Sequence, residues 1–283
     1  MSEIAPVLIL GKHGMLGRAF SALLAREQLP FTATDLPEFD FVDRESIART
    51  IGPEVRTVIN CAAFTDVDGA EQREPEANEI NGAGVGELAR RCAETGATLV
   101  HYSTDYVFEG TADHPYRIDH PRAPLNAYGR SKALGEVLLE ESGARYLLIR
   151  TSWLYAPWGK NFVLTMRELT RSQPALKVVR DQVGRPTSAE YLAERTLQLL
   201  QKAKQGTFHV TDGGECTWAE FAQRIKQLVG GTATIVPCTT AEFPRPARRP
   251  AYSVLDLVEV ERVLGPSRPW EENLADVLER VKG

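Results

Sequence analysis

The first half of the chain alternates short apolar runs with longer amphipathic ones. Val7-Leu-Ile-Leu10 reads as a buried strand, followed by glycines and then a helical pattern from Met15 to about Glu27, with Leu16, Phe20, Leu23 and Leu24 on one side. A second run, Phe31 to Thr34, ends at Asp35. Val55 to Asn60 predicts a third strand, and Gly82 to Glu94 a helix with Val85, Leu88 and Ala89 on one side. Ala97 to Tyr102 predicts a fourth strand, Tyr128 to Glu141 a helix, and Tyr146 to Arg150 a fifth strand. Short strands alternating with helices of this length predict βαβ units and a parallel sheet. The expected fold is α/β, a Rossmann-type doubly wound parallel sheet with helices on both faces.

Beyond residue 150 the pattern loosens. All four tryptophans (Trp153, Trp158, Trp218, Trp270) fall there, and prolines cluster at Pro237, Pro244, Pro246 and Pro250. Helices are predicted over Phe162–Arg171, Ala189–Lys204, Trp218–Leu228 and Glu271–Val281. The shift predicts a dinucleotide-binding domain over residues 1–150 and a smaller, mainly substrate-binding C-terminal lobe over 151–283, with some segments returning to the first domain. A ligand is expected in the crevice between them.

Composition narrows the partners. With 33 basic and 38 acidic residues among 283, the net charge of −5 gives no support for binding nucleic acid or an acidic membrane surface. No apolar run approaches the length of a membrane-spanning helix. The amino terminus lacks a basic leader pattern, and Cys61, Cys92, Cys216 and Cys238 form no CxxC pair. Reduced thiols in a cytoplasmic protein are therefore expected. The five histidines are isolated, so no metal site is expected, and His101 in mid-strand reads as a packing residue.

Two features point to chemistry. Gly11-Lys-His-Gly14-Met-Leu-Gly17 stands between a strand and a helix, the context of a dinucleotide fingerprint. Gly11 would allow the tight turn, Gly14 a close approach to a pyrophosphate, and Gly17 tight helix packing; a purely structural turn would give the same glycines. Asp35, at the end of the second strand, would accept bonds from an adenosine ribose and repel a 2′-phosphate, favouring NADH over NADPH. Lys12 would blunt that preference, and a solvated loop acid is the plainer reading. The second feature is Tyr128-Gly-Arg-Ser-Lys132, which sets a phenol and an ammonium on one helix face. The sharper reading is a proton donor whose pKa the cation lowers; the plainer one is a surface tyrosine beside a solvated lysine. Ser103-Thr104, ending the fourth strand, would face the same crevice.

With these features in order, the sequence resembles the extended short-chain dehydrogenase/reductase superfamily, and within it the dTDP-4-dehydrorhamnose reductases. The resemblance spans about residues 7 to 270 and rests on Asn60-Cys-Ala-Ala-Phe-Thr-Asp-Val67, His101-Tyr-Ser-Thr-Asp-Tyr-Val-Phe108, Pro124-Leu-Asn-Ala-Tyr128-Gly-Arg-Ser-Lys132, Arg150-Thr-Ser-Trp-Leu-Tyr155 and Asp181-Gln-Val-Gly-Arg-Pro-Thr187. It implies NAD(P)H-dependent reduction of the 4-keto group of dTDP-4-dehydro-L-rhamnose to dTDP-L-rhamnose, the last step in making that sugar donor. Tyr128 would be the proton donor, Lys132 its activator, and Thr104 a hydrogen-bond partner of the developing oxyanion. Cofactor contacts would come from Gly11, His13, Gly14, Met15, Leu16 and Gly17, from Asp35, Asp40 and Phe41 near the adenosine, and from Ala62, Ala63, Phe64, Thr65, Tyr102, Tyr128 and Lys132. The sugar nucleotide would meet Val67, Thr104, Asp105, Tyr128, Trp153 and Asn161. Its diphosphate needs cations, for which Arg249 is the first choice and Lys160 and Arg185 follow.

Two departures from the resemblance matter. Some relatives are metal-bridged dimers using a glutamate on the first helix, where this chain has Ala19, although Glu190 remains. A monomer or weak homodimer is expected. Competing readings are another nucleotide-sugar reductase or epimerase, or a cofactor-binding regulatory subunit like that of methionine adenosyltransferase. Dehydration is disfavoured because Thr104 is followed by a single acid, Asp105, and then Tyr106.

Overall fold

The computed structural model describes residues 4–40 and 42–281. Six strands form the main sheet: β1 (Val7–Leu10), β2 (Phe31–Thr34), β3 (Thr57–Asn60), β4 (Thr98–Thr104), β5 (Arg145–Thr151) and β6 (Gly206–His209). Their order is β2-β1-β3-β4-β5-β6, and every pairing is parallel. After β2 the chain crosses back past β1 to lay down β3, so the winding direction reverses there. That switch point opens a crevice at the carboxyl ends of the strands.

Alternation along each strand sorts the core into two layers. Val7, Ile9, Ile59, Val100, Leu147 and Ile149 face one side and pack against α1 (Met15–Arg26) and a later helix, Ala189–Gln201. Leu8, Leu10, Val58, Leu99 and Leu148 face the other. There they meet α2 (Arg44–Thr50), α3 (Gly84–Thr95) and α4 (Ala127–Glu141). The central strands β1, β3, β4 and β5 are buried on both faces along most of their length, which is why they read as apolar runs.

A third core lies beyond β5. It joins α5 (Phe162–Ser172), α7 (Trp218–Val229) and α8 (Trp270–Arg280) through Val163, Met166, Phe221, Ile225, Trp270 and Leu274; α6 denotes Ala189–Gln201. A small parallel pair, Ala175–Val179 with Thr234–Cys238, edges this region. Asp212, just past β6, ties the pieces together. It accepts from Tyr155 Oη (3.0 Å), the Ser188 amide (3.2 Å) and Asn273 Nδ2 (2.8 Å). No described helix is long and apolar enough to cross a membrane.

Candidate active site

The turn after β1 is built around two close approaches. Gly11 has φ +82°, and a Cβ there would sit 2.8 Å from the Ala62 amide nitrogen. A Cβ on Gly17 would lie 2.1 Å from the Gly11 carbonyl oxygen. Only glycine fits either place, so α1 starts hard against the turn with its first amides aimed into the crevice. Gly14, by contrast, has no side-chain obstruction: its Cβ direction meets only Gly11 O, at 3.4 Å. This cradle suits the pyrophosphate of a dinucleotide.

The other catalytic candidates come from β4 and α4. Asn126 caps α4, accepting from the Gly129 amide at 2.8 Å, while its Nδ2 donates to Arg248 O at 2.8 Å. Glu71 accepts from the Ala127 amide at 2.8 Å. The first turn of α4 is thus pinned from two directions, and with it the Tyr128 side chain. Lys132, four residues on, is buried and donates to the Tyr102 carbonyl at 2.6 Å. Its Nζ also lies 3.3 Å from His101 Nε2.

One cavity of about 750 Å³ spans from the glycine turn to these groups. Of the expected cofactor contacts, Gly11, Gly14, Met15, Leu16, Asp35, Asp40, Ala62, Ala63, Thr65, Tyr102, Tyr128 and Lys132 line it. Of the expected substrate contacts, Val67, Thr104, Asp105, Tyr128 and Trp153 do. Phe41 lies outside the described residues.

Several expected contact residues also have partners within the protein. Gly17 is packed under Gly11. His13 gives its backbone amide to Asp35 Oδ2 at 3.0 Å. Phe64 is buried with its backbone held by Asn81, at 2.9 Å for both the amide and the carbonyl. Asn161 caps α5, accepting from the Leu164 amide at 3.1 Å and donating to Ala156 O at 3.0 Å. Arg185 is not among the residues lining the cavity, and its buried Nε has no hydrogen-bond partner among the described residues. Arg249 pairs with Asp68 at 3.1 Å, a carboxylate that also takes Arg245 Nε at 3.0 Å. Lys12 reaches Glu38 at 3.4 Å, and Glu190 is held by Arg280. Among the described residues no group of acids, histidines and cysteines is placed to hold a metal.

The structure adds residues that the sequence did not announce. Leu36, Phe39 and Val42 form an apolar rim around Asp35 and Asp40. Trp218 stacks on Trp153 with ring centroids 3.6 Å apart and planes 13° from parallel. Trp153 itself has φ +46°, a conformation that a bulky residue adopts only under constraint. The constraint is visible: a Cβ on Gly184 would lie 2.6 Å from the Trp153 ring, so the indole is sandwiched between Gly184 and Trp218.

Electrostatics correct one expectation. The Tyr128 phenol is not lowered by Lys132. Burial pushes it well up, the Asp105 carboxylate adds to this, and Thr104 beside it draws it partly back. Lys132 Nζ spends a hydrogen bond on the Tyr102 carbonyl and lies 3.3 Å from His101 Nε2. Burial holds its pKa down to about 8, against the pull of Glu136. Burial also pushes Asp105 up to about 6, against hydrogen bonds from Ser253 and Thr104. Thr104 Oγ1 donates to Asp105 Oδ1 at 2.9 Å and accepts from the Tyr106 amide at 3.2 Å.

The chain matches the family described as RmlD substrate binding domain over residues 5–282. A dTDP-4-dehydrorhamnose reductase of Burkholderia thailandensis is 39% identical, covering 93% of this chain and 94% of that protein. Among solved structures, a dTDP-4-dehydrorhamnose reductase of Clostridium acetobutylicum superposes with a TM-score of 0.94 at 38% identity, covering 98% of this chain and 99% of that one. The Bacillus anthracis dTDP-4-dehydrorhamnose reductase, solved in complex with NADP, gives 0.93 at 35% identity, covering 97% and 98%. The family match and these likenesses run over nearly the whole length, and the chain belongs to the RmlD substrate binding domain family, that of the dTDP-4-dehydrorhamnose reductases.

Proposed function

We propose that this protein reduces the 4-keto group of dTDP-4-dehydro-L-rhamnose to give dTDP-L-rhamnose, using a reduced nicotinamide dinucleotide. The single observation that carries this reading is the continuous cavity with the glycine cradle at one end and Thr104, Tyr128, Lys132 and Trp153 at the other. A bound nicotinamide would supply hydride to the carbonyl carbon. What the chain supplies is position and a proton. Tyr128 Oη gives its proton to the carbonyl oxygen as negative charge builds there, and its raised pKa keeps it protonated until that moment. Lys132 Nζ, fixed by the Tyr102 carbonyl, presents its remaining protons to the ribose hydroxyls. The Trp153 face, stiffened by Trp218, gives the deoxysugar an apolar wall.

NADH is the favoured cofactor. The Asp35 carboxylate sits on the cavity wall, fixed by the amides of His13 and Leu36, both at 3.0 Å. A 2′-phosphate placed there would meet a negative charge, which Lys12, in a long surface pair with the exposed Glu38 at 3.4 Å, would offset only in part. The test is oxidation of NADH and of NADPH by the purified protein with enzymatically made dTDP-4-dehydro-L-rhamnose. Binding of NADH without turnover of this sugar would overturn the assignment.

Arg249 is the proposed partner of the diphosphate. Two guanidiniums share the one Asp68 carboxylate, leaving net positive charge next to Val67 and Tyr106 on the cavity wall. Arg249→Ala is expected to raise the KM for the sugar nucleotide by about tenfold, worth about 1.4 kcal/mol, with kcat nearly unchanged. An unchanged KM would remove this role.

The lowered Lys132 pKa fixes a pH dependence. The ammonium is the form that holds the ribose, and it is half lost at pH about 8. In the free enzyme, kcat/KM for the reduced cofactor is therefore expected to fall as pH rises through that value. Stability moves the other way: between pH 8 and the ordinary lysine value of 10.5 the unfolded chain binds more protons at this site, so Lys132's contribution to stability grows with pH. A flat kcat/KM profile through pH 9.5, about 1.5 units above the midpoint, would contradict the assignment.

A further inference from the structure

Behind Lys132 lies a row of polar side chains that the reaction above does not use. Asn60 ends β3 and His101 lies directly across from it in register on β4. Both are 1% exposed, among the most enclosed polar groups in the sheet. Asn60 Oδ1 accepts from the Ala62 amide at 3.1 Å. Its Nδ2 lies 3.2 Å from His101 Nδ1, and His101 Nε2 lies 3.3 Å from Lys132 Nζ. The row thus runs from the floor of the glycine cradle to the ammonium of the Tyr–Lys pair.

Hydrogen-bond direction can be followed along it. A backbone amide can only donate, so the Ala62 N–H fixes which end of the Asn60 amide is oxygen. The NH₂ end then faces His101 Nδ1, which must be an acceptor. A neutral imidazole carries one proton, so that proton belongs on Nε2, pointing at Lys132 Nζ. An N–H there can be accepted only by an amine with a free lone pair. An ammonium in that place meets a donor with a donor.

We propose that His101, set in its Nε2–H tautomer by Asn60, is a positioning residue that governs the charge on Lys132. Asn60 and His101 satisfy every hydrogen bond in the row when Lys132 is neutral and leave one unmade when it is charged. The row therefore lowers the proton affinity of Lys132 beyond what burial alone would do. Other ionisable groups facing Lys132 are Glu136, one turn along α4 and favouring the charge, and Tyr128 on the preceding turn. His101 cannot relieve the clash by ionising: burial and the Lys132 charge hold its own pKa well below the ordinary imidazole range. This inference rests on the role given to Lys132 above, and it can fail separately from that role.

The first arm of the test needs no turnover. Ring-¹⁵N-labelled, cofactor-free protein is titrated by NMR across the range in which Lys132 changes charge. The expected result is a neutral His101 ring with Nε2 protonated on the alkaline side, its nitrogen shifts moving with the same midpoint as the kcat/KM limb. A ring protonated at Nδ1 throughout, or one with no response across that midpoint, overturns the proposal. The second arm is Asn60→Asp, which still accepts from the Ala62 amide but presents an acceptor to His101. The ring is then expected to switch to the Nδ1–H tautomer, free Nε2 to accept from the ammonium, and move the alkaline limb up by roughly one pH unit. A limb that moves while the ring keeps Nε2–H would show a direct effect of the new charge and overturn the proposal; a limb that stays put would do the same.

Discussion

Tyr128→Phe is expected to lower kcat by about 10²- to 10⁴-fold while leaving binding of the reduced cofactor close to that of the parent protein. The substitution keeps the ring, which meets Tyr106 edge-on at 6.0 Å between centroids, so the packing of the first turn of α4 survives. In the proposed mechanism it removes the proton that passes to the carbonyl oxygen. Thr104 cannot take over, because an aliphatic hydroxyl is a far weaker acid than a phenol. Asp105, with a pKa of about 6, is mostly ionised at neutral pH and is an acceptor there. Steady-state turnover measured beside a direct cofactor titration separates the two effects. A kcat near that of the parent would show that the proton comes from elsewhere.

The second large effect concerns stability. Glu136→Leu is expected to destabilise the protein by about 3–5 kcal/mol, because it strands a buried cation. Glu136 lies on α4 with no exposed surface, and Arg150 on β5 is 2% exposed. The pair is bidentate, with Arg150 Nε to Oε1 at 2.9 Å and Nη2 to Oε2 at 2.7 Å, and Arg122 Nε adds a bond at 2.6 Å. Burial alone would raise the Glu136 carboxyl, yet the hydrogen bonds and charge of Arg150, with Ser103 and Arg122, together outweigh it and hold the group below its usual range. His209 sits 3.4 Å from Arg150, and burial followed by the Arg150 charge holds its pKa down to about 3, so it stays neutral and cannot replace the lost anion. Urea unfolding reads the change directly. A loss under about 1 kcal/mol would mean that the guanidinium finds water instead. The double variant Glu136→Leu with Arg150→Met should recover much of the loss, since no unpaired charge remains.

Much of this architecture could be read from patterning alone, for a definite reason. Val7–Leu10 and Tyr146–Arg150 lie between two helical layers, so nearly every side chain in them is apolar and the strands stand out. The helix expected over Tyr128 to Glu141 is present as Ala127–Glu141, although its apolar face is weak. β6 was not legible: Gly206-Thr-Phe-His209 has a single large apolar side chain, and its buried histidine is matched to Arg150 on the neighbouring strand. The cradle glycines and Asp35 were visible because each does a local job. Trp218, Asn60 and His101 escaped notice as parts of the site because their meaning lies in partners distant along the chain. Nothing local says that Trp218 will lie flat on Trp153, or that β3 and β4 will align so that Asn60 faces His101. Asn161 is the converse case. Its residue type suits a ligand, but its side chain caps α5.

The late arrival of α6 and β6 has a consequence for how the molecule is made. During synthesis, the first five strands of the sheet leave the ribosome before Ala189–Gln201 exists. Until that helix follows, Val100, Leu147 and Ile149 on the α1 side lack the Leu192, Ala193, Leu197 and Leu200 surface that closes over them. A nascent chain stalled near residue 150 would thus present a wet, half-covered apolar sheet, the kind of surface that chaperones hold and that aggregates when they do not.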